Sequence, residues 1–283
     1  MCLADYLNIW RGLKYTRAEN PIAPNSSIRA IQDLTGPSPI PSYYDNWVLR
    51  QSRGEDRAGA QMLARHRSRR EQGRFVDWDV RRSVALDGLD PQRRNEIPDD
   101  VLIMSQGAGA VMQWRGANLY KSVFDYALLP MLLAELRPAA ILEIGSGTGA
   151  SAIWLADVAA MQQIRCMVVS VDIAPVAAGH PGVRSVRADA RDLAATLPDD
   201  WSEEGPKLVL EDAHVCVAEF LDYVDMRLAP GDYLIVEDSV RKYGVIAAFL
   251  EKRPRRYVVD THYTDFFGRN ATSCIDSIFK RTP

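Results

Sequence analysis

The stretch that constrains this chain most is Ala140 to Ser151, which reads AILEIGSGTGAS. It combines a short apolar strand, an acid, glycines at every second position (Gly145, Gly147 and Gly149) and the start of a helix. Glycine has no Cβ and tolerates positive φ, so the backbone of such a turn can come very close to a ligand. The N–H groups at the N-terminus of the following helix would favour a carboxylate or a phosphate. The stretch therefore predicts a ligand site at a strand-to-helix turn.

Two cofactor classes fit this turn. Gly145, Gly147 and Ala150 satisfy the dinucleotide pattern G-x-G-x-x-G/A, which is a weak signal by itself. Three features favour S-adenosylmethionine instead: Glu143 shortly before the first glycine, Asp172 at the end of the next strand, and two acid pairs further on. An acid in the position of Asp172 can accept hydrogen bonds from both ribose hydroxyls of an adenosine. A glycine turn with only a packing role is the third interpretation.

Composition excludes several classes of function. The chain of 283 residues is 47% hydrophobic and 25% charged, close to the globular average. Its net charge of -3 favours no nucleic-acid partner, despite the basic run at 65–70. No apolar run reaches the roughly 18 residues that a membrane helix needs, and the start lacks the plan of a signal peptide. The four cysteines lack C-x-x-C spacing and are interpreted as reduced thiols. We therefore expect a cytoplasmic protein that does not bind membranes.

The pattern of elements divides the chain in two. Residues 1–105 are rich in proline and polar turns and predict a mainly helical or irregular N-terminal appendage, which would supply a lid, substrate contacts or oligomer contacts. Residues 106–283 alternate short apolar strands with helices, which predicts an α/β domain with a doubly wound, mostly parallel sheet. The last two strand patterns, on either side of 265–271, predict an antiparallel C-terminal hairpin. The aromatic residues and glycine of 265–270 suit a mobile wall of a substrate site.

Ligands of doubly wound sheets bind outside the carboxyl ends of the strands, where this sequence places acids. Glu211 ends the fourth predicted strand, and Glu237 and Asp238 end the fifth. Because these two strands should be neighbours, the three carboxylates would converge, and a hard cation such as Mg²⁺ would relieve their repulsion. His214 could face the same cavity and take a proton from a substrate hydroxyl. The alternative is that the acids only cap helices and that His214 is an ordinary loop residue.

Several of these segments together resemble a known family. The runs KSVFDYALL, EIGSGTGAS, VVSVDI, LEDAH and GDYLIVEDS are similar to the cephalosporin hydroxylase and rhamnosyl O-methyltransferase family, which includes macrolide-sugar O-methyltransferases. The resemblance covers roughly 114–280. It implies a Rossmann-like class I methyltransferase fold with a seven-stranded sheet, S-adenosylmethionine and Mg²⁺ as cofactors, and a homo-oligomer.

The resemblance also implies roles for individual residues. It assigns cofactor binding to Glu143, Gly145, Ser146, Gly147, Ser151, Asp172, Ile173, Asp189 and Ala190. It assigns the metal to Glu211, Glu237 and Asp238, and general-base catalysis to His214. The first metal acid of the family is usually Asp, so the Glu at 211 leaves Asp212 as an alternative ligand.

These observations predict a Mg²⁺-dependent O-methyltransferase that acts on a hydroxyl of a small natural product or sugar, in secondary metabolism such as antibiotic biosynthesis. Three alternatives stay open at this level. The chain could methylate N or C with acids that serve structure only, it could be an NAD-linked oxidoreductase or hydroxylase component, or it could be a non-catalytic cofactor-binding accessory subunit.

Overall fold

An eight-stranded sheet organises the residues that this computed structural model describes, which are 73–83, 94–175, 179–197, 201 and 205–283. The strands, in chain order, are β1 (Phe75–Val76), β2 (Gln113–Trp114), β3 (Ala117–Asn118), β4 (Ala140–Ile144), β5 (Met167–Asp172), β6 (Val183–Arg187), β7 (Lys207–Glu211), β8 (Tyr233–Val236), β9 (Tyr257–Asp260) and β10 (Ile278–Arg281). The order in the large sheet is β1-β9-β10-β8-β7-β4-β5-β6, and β2 pairs with β3 separately.

Helices connect these strands. They are α1 (Trp78–Ser83), α2 (Asp99–Met104), α3 (Asp125–Leu136), α4 (Ala150–Met161), α5 (Leu193–Thr196), α6 (Val217–Asp225), α7 (Tyr243–Glu251) and α8 (Thr261–Thr264), with a 3₁₀ helix at Ser239–Lys242. Just before α3, the hydroxyl of Ser122 accepts a hydrogen bond from the N–H of Asp125 at 3.1 Å. No helix in the described ranges is long and apolar enough to cross a membrane.

The sheet has the predicted doubly wound arrangement. The β6, β5, β4, β7 and β8 strands are all parallel, so their carboxyl ends meet at one edge. In this register Ile144 of β4 lies opposite Val171 of β5 and Glu211 of β7. The predicted C-terminal hairpin is confirmed, because β10 runs antiparallel to both β9 and β8. The sheet has one strand more than expected, since the short β1 pairs with β9.

Apolar side chains cover both faces of the sheet. Leu142, Val209 and Leu234 belong to the core on one face, and their neighbours Ile141 and Leu208 belong to the core on the other. This division follows from the period of two in a strand. Helix α4 is buried at nine of its positions because it packs against the sheet directly after the glycine turn.

The segment that the sequence assigned to the appendage is described only in part. Its proline-rich loop and basic run, within 1–72, lie outside the described residues. From Arg74 onward the chain belongs to one compact unit that extends to Pro283. In that unit the buried Arg81 of α1 pairs with Asp265 and Asp276, both at 2.8 Å. Residues 74–83 therefore contact the loop that precedes β10.

Candidate active site

The glycine turn after β4 touches the ends of both neighbouring strands. Gly145, Gly147 and Gly149 all have positive φ. A Cβ on Gly145 would lie 2.5 Å from the backbone N of Ala213 and the backbone C of Asp212, so only glycine fits between β4 and the segment after β7. A Cβ on Gly147 would have no atom within 4 Å. The turn is therefore closed on the side of β7 and open above Gly147, where a ligand could approach.

Glu143 lies buried beneath this turn. Neither of its carboxylate oxygens has a hydrogen-bond partner among the described residues. Burial raises the pKa of Glu143 to about 7, while Lys121 and the nearby Ser151 hydroxyl lower it. Ser151 itself lies in the first turn of α4. A buried carboxylate without a hydrogen-bond partner is costly, so Glu143 is a candidate for interaction with a bound ligand, directly or through neighbouring groups.

Three further predicted cofactor residues lie in the turn or beside it. The N–H of Gly147 donates to Oδ2 of Asp172 at 3.1 Å, and the N–H of Ala174 donates to Oδ1 at 2.9 Å. Ile173 is exposed beside it. Ser146 is buried and accepts a hydrogen bond from the Ser170 hydroxyl at 2.6 Å. The structure thus brings Asp172 and Ser146 to the glycine turn, as the sequence predicted.

Asp189 and Ala190 follow β6 on the far side of β5. Both carboxylate oxygens of Asp189 accept hydrogen bonds from the guanidinium of Arg191, the shortest at 2.6 Å. These contacts lower the pKa of Asp189 to about 2. Ala190 is half-buried. Arg191 was not identified from the sequence, and a ligand that used the Asp189 carboxylate would have to share it with this side chain.

Glu211, which the sequence predicts to be a metal ligand, is directed into the protein. Its side chain is fully buried. One carboxylate oxygen accepts the N–H groups of Ala213 and His214, both at 3.1 Å, and the other accepts Lys242 Nζ at 2.5 Å. Since successive residues at a strand end point in opposite directions, the neighbouring Asp212 is directed elsewhere. Glu211 therefore binds its own loop and Lys242.

Asp212 and Glu237 converge on a lysine that the sequence analysis did not identify. Lys121 Nζ lies 2.8 Å from Asp212 and 2.5 Å from Glu237, and its side chain is 1% exposed. Burial opposes its charge, but the carboxylates of Glu237, Asp212 and Glu143 outweigh that effect and raise the pKa of Lys121. Lys121 is the first residue of the quoted run KSVFDYALL, and no local pattern marks it as a partner of acids so distant in sequence.

His214 and Asp238 are the exposed members of this group. We call the surface formed by Asp212, His214, Glu237 and Asp238 the mouth of the site. Nε2 of His214 lies 3.4 Å from Asp212 and 3.7 Å from Asp238, and both His214 and Asp238 are about half exposed. Both have positive φ, 60° and 45°, a conformation that is uncommon outside glycine and is enriched at functional sites. No group of three or more His, Cys, Asp or Glu side chains within the described ranges is arranged to hold a metal ion.

The arrangement can therefore do two things. The turn and Asp172 are placed to hold a polar ligand with its anionic end near the N-terminus of α4, and Glu143 lies buried beneath them. Beside it, His214 presents a ring nitrogen to solvent between two carboxylates, which suits it to accept a proton. The two parts are adjacent, because Gly145 packs against the backbone of 212–213.

Comparison with known proteins finds relatives of this chain. The family model described as Rhamnosyl O-methyltransferase/CmcI matches residues 108–187. Rhamnosyl O-methyltransferases of Mycobacterium tuberculosis and Mycobacterium bovis are 28% identical to the chain over 180 residues, which are 55% of this chain and 73% of each relative.

Solved structures show the same fold. The apo form of CmcI-N160 matches with a TM-score of 0.54 at 24% identity, over 71% of this chain and 88% of the other. The Mg-SAM form of cmcI-D160 matches with a TM-score of 0.52 at 23% identity, over 75% of this chain and 99% of the other. The fold is thus that of class I methyltransferases, as the sequence predicted.

Proposed function

We infer that this chain, a member of the Rhamnosyl O-methyltransferase/CmcI family, is an S-adenosylmethionine-dependent methyltransferase that methylates a hydroxyl group. One observation carries the proposal above all others. The glycine turn that would hold the cofactor is packed through Gly145 against the segment that carries His214. Methyl donor and proton acceptor would therefore lie side by side, which is the arrangement that transfer to oxygen needs.

The residues around the turn fit S-adenosylmethionine. The space above Gly147 is open, and the unpartnered Glu143 lies beneath the turn. Asp172 ends β5, where it would accept hydrogen bonds from the ribose hydroxyls, and Ser151 lies in the first turn of α4, where it would contact the methionine end. Asp189 and Ala190 would border the adenine. When bound, the cofactor supplies a methyl group on a positively charged sulfur.

The residues at the mouth fit Mg²⁺ only in part. Oxygen ligands suit this ion, and Asp212, Glu237 and Asp238 would supply them, although these three are not arranged around an ion in the described structure. Glu211 is paired with Lys242 instead. We therefore propose Asp212 in place of Glu211 as the first metal acid. The Mg-containing structure of cmcI-D160 supports the choice of this ion. A bound divalent ion would make a substrate hydroxyl more acidic.

His214 is proposed as the general base. Its Nε2 would accept the proton of the acceptor hydroxyl while the oxygen forms a bond to the methyl carbon and the methyl–sulfur bond breaks, leaving the electron pair on sulfur. Asp212 and Asp238, at 3.4 and 3.7 Å, would stabilise the resulting imidazolium. The chain thus supplies alignment and a proton acceptor.

The acceptor is proposed to be a small hydroxylated molecule that carries a sugar, because the curated relatives are rhamnosyl O-methyltransferases. The homo-oligomer, the cytoplasmic location and a role in antibiotic biosynthesis stay predictions of the sequence.

Calorimetric titration tests the cofactor directly. The protein should bind S-adenosylhomocysteine and should not bind NAD⁺. Transfer of an isotope-labelled methyl group from S-adenosylmethionine to a panel of rhamnosides then identifies the acceptor oxygen. The controls are the same rhamnosides with one ring hydroxyl removed. Binding of NAD⁺ in place of S-adenosylhomocysteine would refute the proposal.

A further inference from the structure

Lys121 stands where a cation would be expected among the acids of the mouth. Its ammonium donates to Asp212 at 2.8 Å and to Glu237 at 2.5 Å. Both contacts are charge-assisted hydrogen bonds. The lysine side chain and that of Glu237 are almost completely buried, so water screens their attraction little. Two of the three proposed metal acids are therefore already paired with a cation of the protein.

The remaining acid of the mouth differs from these two. Asp238 is 55% exposed, and Nε2 of His214 lies 3.7 Å from its carboxylate. Glu211, the other nearby acid, is paired with Lys242 and with two backbone N–H groups. A divalent ion arriving from solvent would thus meet Asp238 first. It would reach Asp212 and Glu237 only where Lys121 now lies.

We propose that Lys121 is a built-in counter-cation that competes with Mg²⁺ for Asp212 and Glu237. The ammonium must leave these carboxylates when the ion binds, because two cations at one pair of carboxylates repel each other. The competition sets the affinity of the mouth for Mg²⁺, and in the absence of Mg²⁺ the ammonium keeps Asp212 and Glu237 paired. The inference rests on the proposed function only in taking Mg²⁺ as the ion.

The first test compares Mg²⁺ binding by the wild type and by Lys121→Met, using EDTA-treated protein titrated with magnesium chloride. Removal of the ammonium should tighten binding by roughly tenfold or more. The matched control is Lys207→Met, since Lys207 is also buried and paired, with Asp232, but lies at the opposite end of β7. This control should leave the Mg²⁺ affinity unchanged. Equal affinities of wild type and Lys121→Met would overturn the inference.

The second test uses the wild type alone, so it does not depend on the folding of a variant. An amine-reactive reagent should modify Lys121 slowly in the absence of Mg²⁺ and several times faster at saturating Mg²⁺, as measured by mass spectrometry. Lys207 should react at the same rate in both conditions, and sodium chloride of equal ionic strength should have no effect. Labelling of Lys121 that does not respond to Mg²⁺ contradicts the competition.

Titration with S-adenosylhomocysteine separates the two levels of the argument. If S-adenosylhomocysteine binds but neither wild type nor Lys121→Met binds Mg²⁺, this inference and the metal assignment are both wrong, and the proposal of methyl transfer stands. If S-adenosylhomocysteine does not bind, the proposed function fails, while tighter Mg²⁺ binding by Lys121→Met would still support competition at the mouth.

Discussion

Glu211 and Lys242 form a buried ion pair in which Nζ of the lysine lies 2.5 Å from a carboxylate oxygen, and both side chains are at most 6% exposed. The pair fixes the 3₁₀ helix after β8 to the end of β7. Because two backbone N–H groups also donate to Glu211, the carboxylate holds the loop that carries His214. Glu211 is therefore a residue that positions the site.

The first prediction separates this role from metal binding. Glu211→Ala should lower the free energy of unfolding by about 3–5 kcal/mol, since it leaves the Lys242 ammonium buried and unpaired. Denaturant unfolding measures this loss. The more conservative Glu211→Gln should bind Mg²⁺ as the wild type does, whereas Asp238→Asn should lose Mg²⁺ affinity in the same calorimetric experiment. Loss of Mg²⁺ binding in Glu211→Gln alone would restore Glu211 as a ligand.

The second prediction uses two glycines of one turn. Gly145→Ala should destabilise the protein without any ligand, because its Cβ would lie 2.5 Å from backbone atoms and its φ is 91°. Gly147→Ala has free space for its Cβ and a φ of 48°, so it should fold with a loss of about 1 kcal/mol.

Although Gly147→Ala should cost less stability than Gly145→Ala, it should weaken the binding of S-adenosylhomocysteine. A methyl group there enters the space proposed for the cofactor, so the affinity of the folded Gly147→Ala should fall clearly. Thermal unfolding and calorimetry on both variants check the pair. An unchanged affinity of Gly147→Ala would place the cofactor elsewhere.

The third prediction concerns pH and Glu143. Its pKa is raised from 4.5 to about 7 by burial, so the folded state binds its proton more tightly than the unfolded state does. The stability that this provides is complete below about pH 4.5 and is lost as pH rises to 7. Above pH 7 the ionised, buried carboxylate costs up to about 3 kcal/mol.

Glu143→Gln removes this ionisation and keeps the shape of the side chain. It should be more stable than the wild type at pH 8 and close to it at pH 5, as measured by denaturant unfolding at both values. Glu135→Gln offers a control, because burial raises the pKa of Glu135 but the Tyr263 and Arg74 contacts outweigh it and leave that pKa lowered. If the free energy of unfolding depends on pH in the same way in wild type and Glu143→Gln, Glu143 is not the group whose pKa is raised by burial.

The fourth prediction concerns His214. His214→Asn should lower kcat by about 10²- to 10⁴-fold, the usual contribution of a general base. Asparagine tolerates the positive φ of 60° at this position, so the loop should keep its conformation. S-adenosylhomocysteine affinity and thermal stability should match the wild type, which distinguishes a catalytic loss from a folding defect.

A pH profile gives the accompanying readout. The pH–rate profiles of the wild type and of His214→Asn should differ in shape, because only the wild type has the imidazole. If the residual activity of the variant keeps the wild-type profile, another group is the base.

The fold was accessible from the sequence because its signals are local. The apolar runs of β4, β5 and β7, each followed by a turn or helix, dictate parallel strands, and the glycines of 145–149 dictate the turn. The extra strand β1 was not predicted, since two residues carry no readable period.

The site divides in the same way. The sequence by itself determined that acids and a histidine follow β7 and β8, and that these strand ends meet a glycine turn. Only the tertiary structure decided which acid faces the mouth, because adjacent residues at a strand end point to opposite sides and Glu211 turned inward while Asp212 did not. It also decided their partners: Lys121 lies 91 residues from Asp212 and 116 from Glu237, and such pairs depend on packing that no local pattern records.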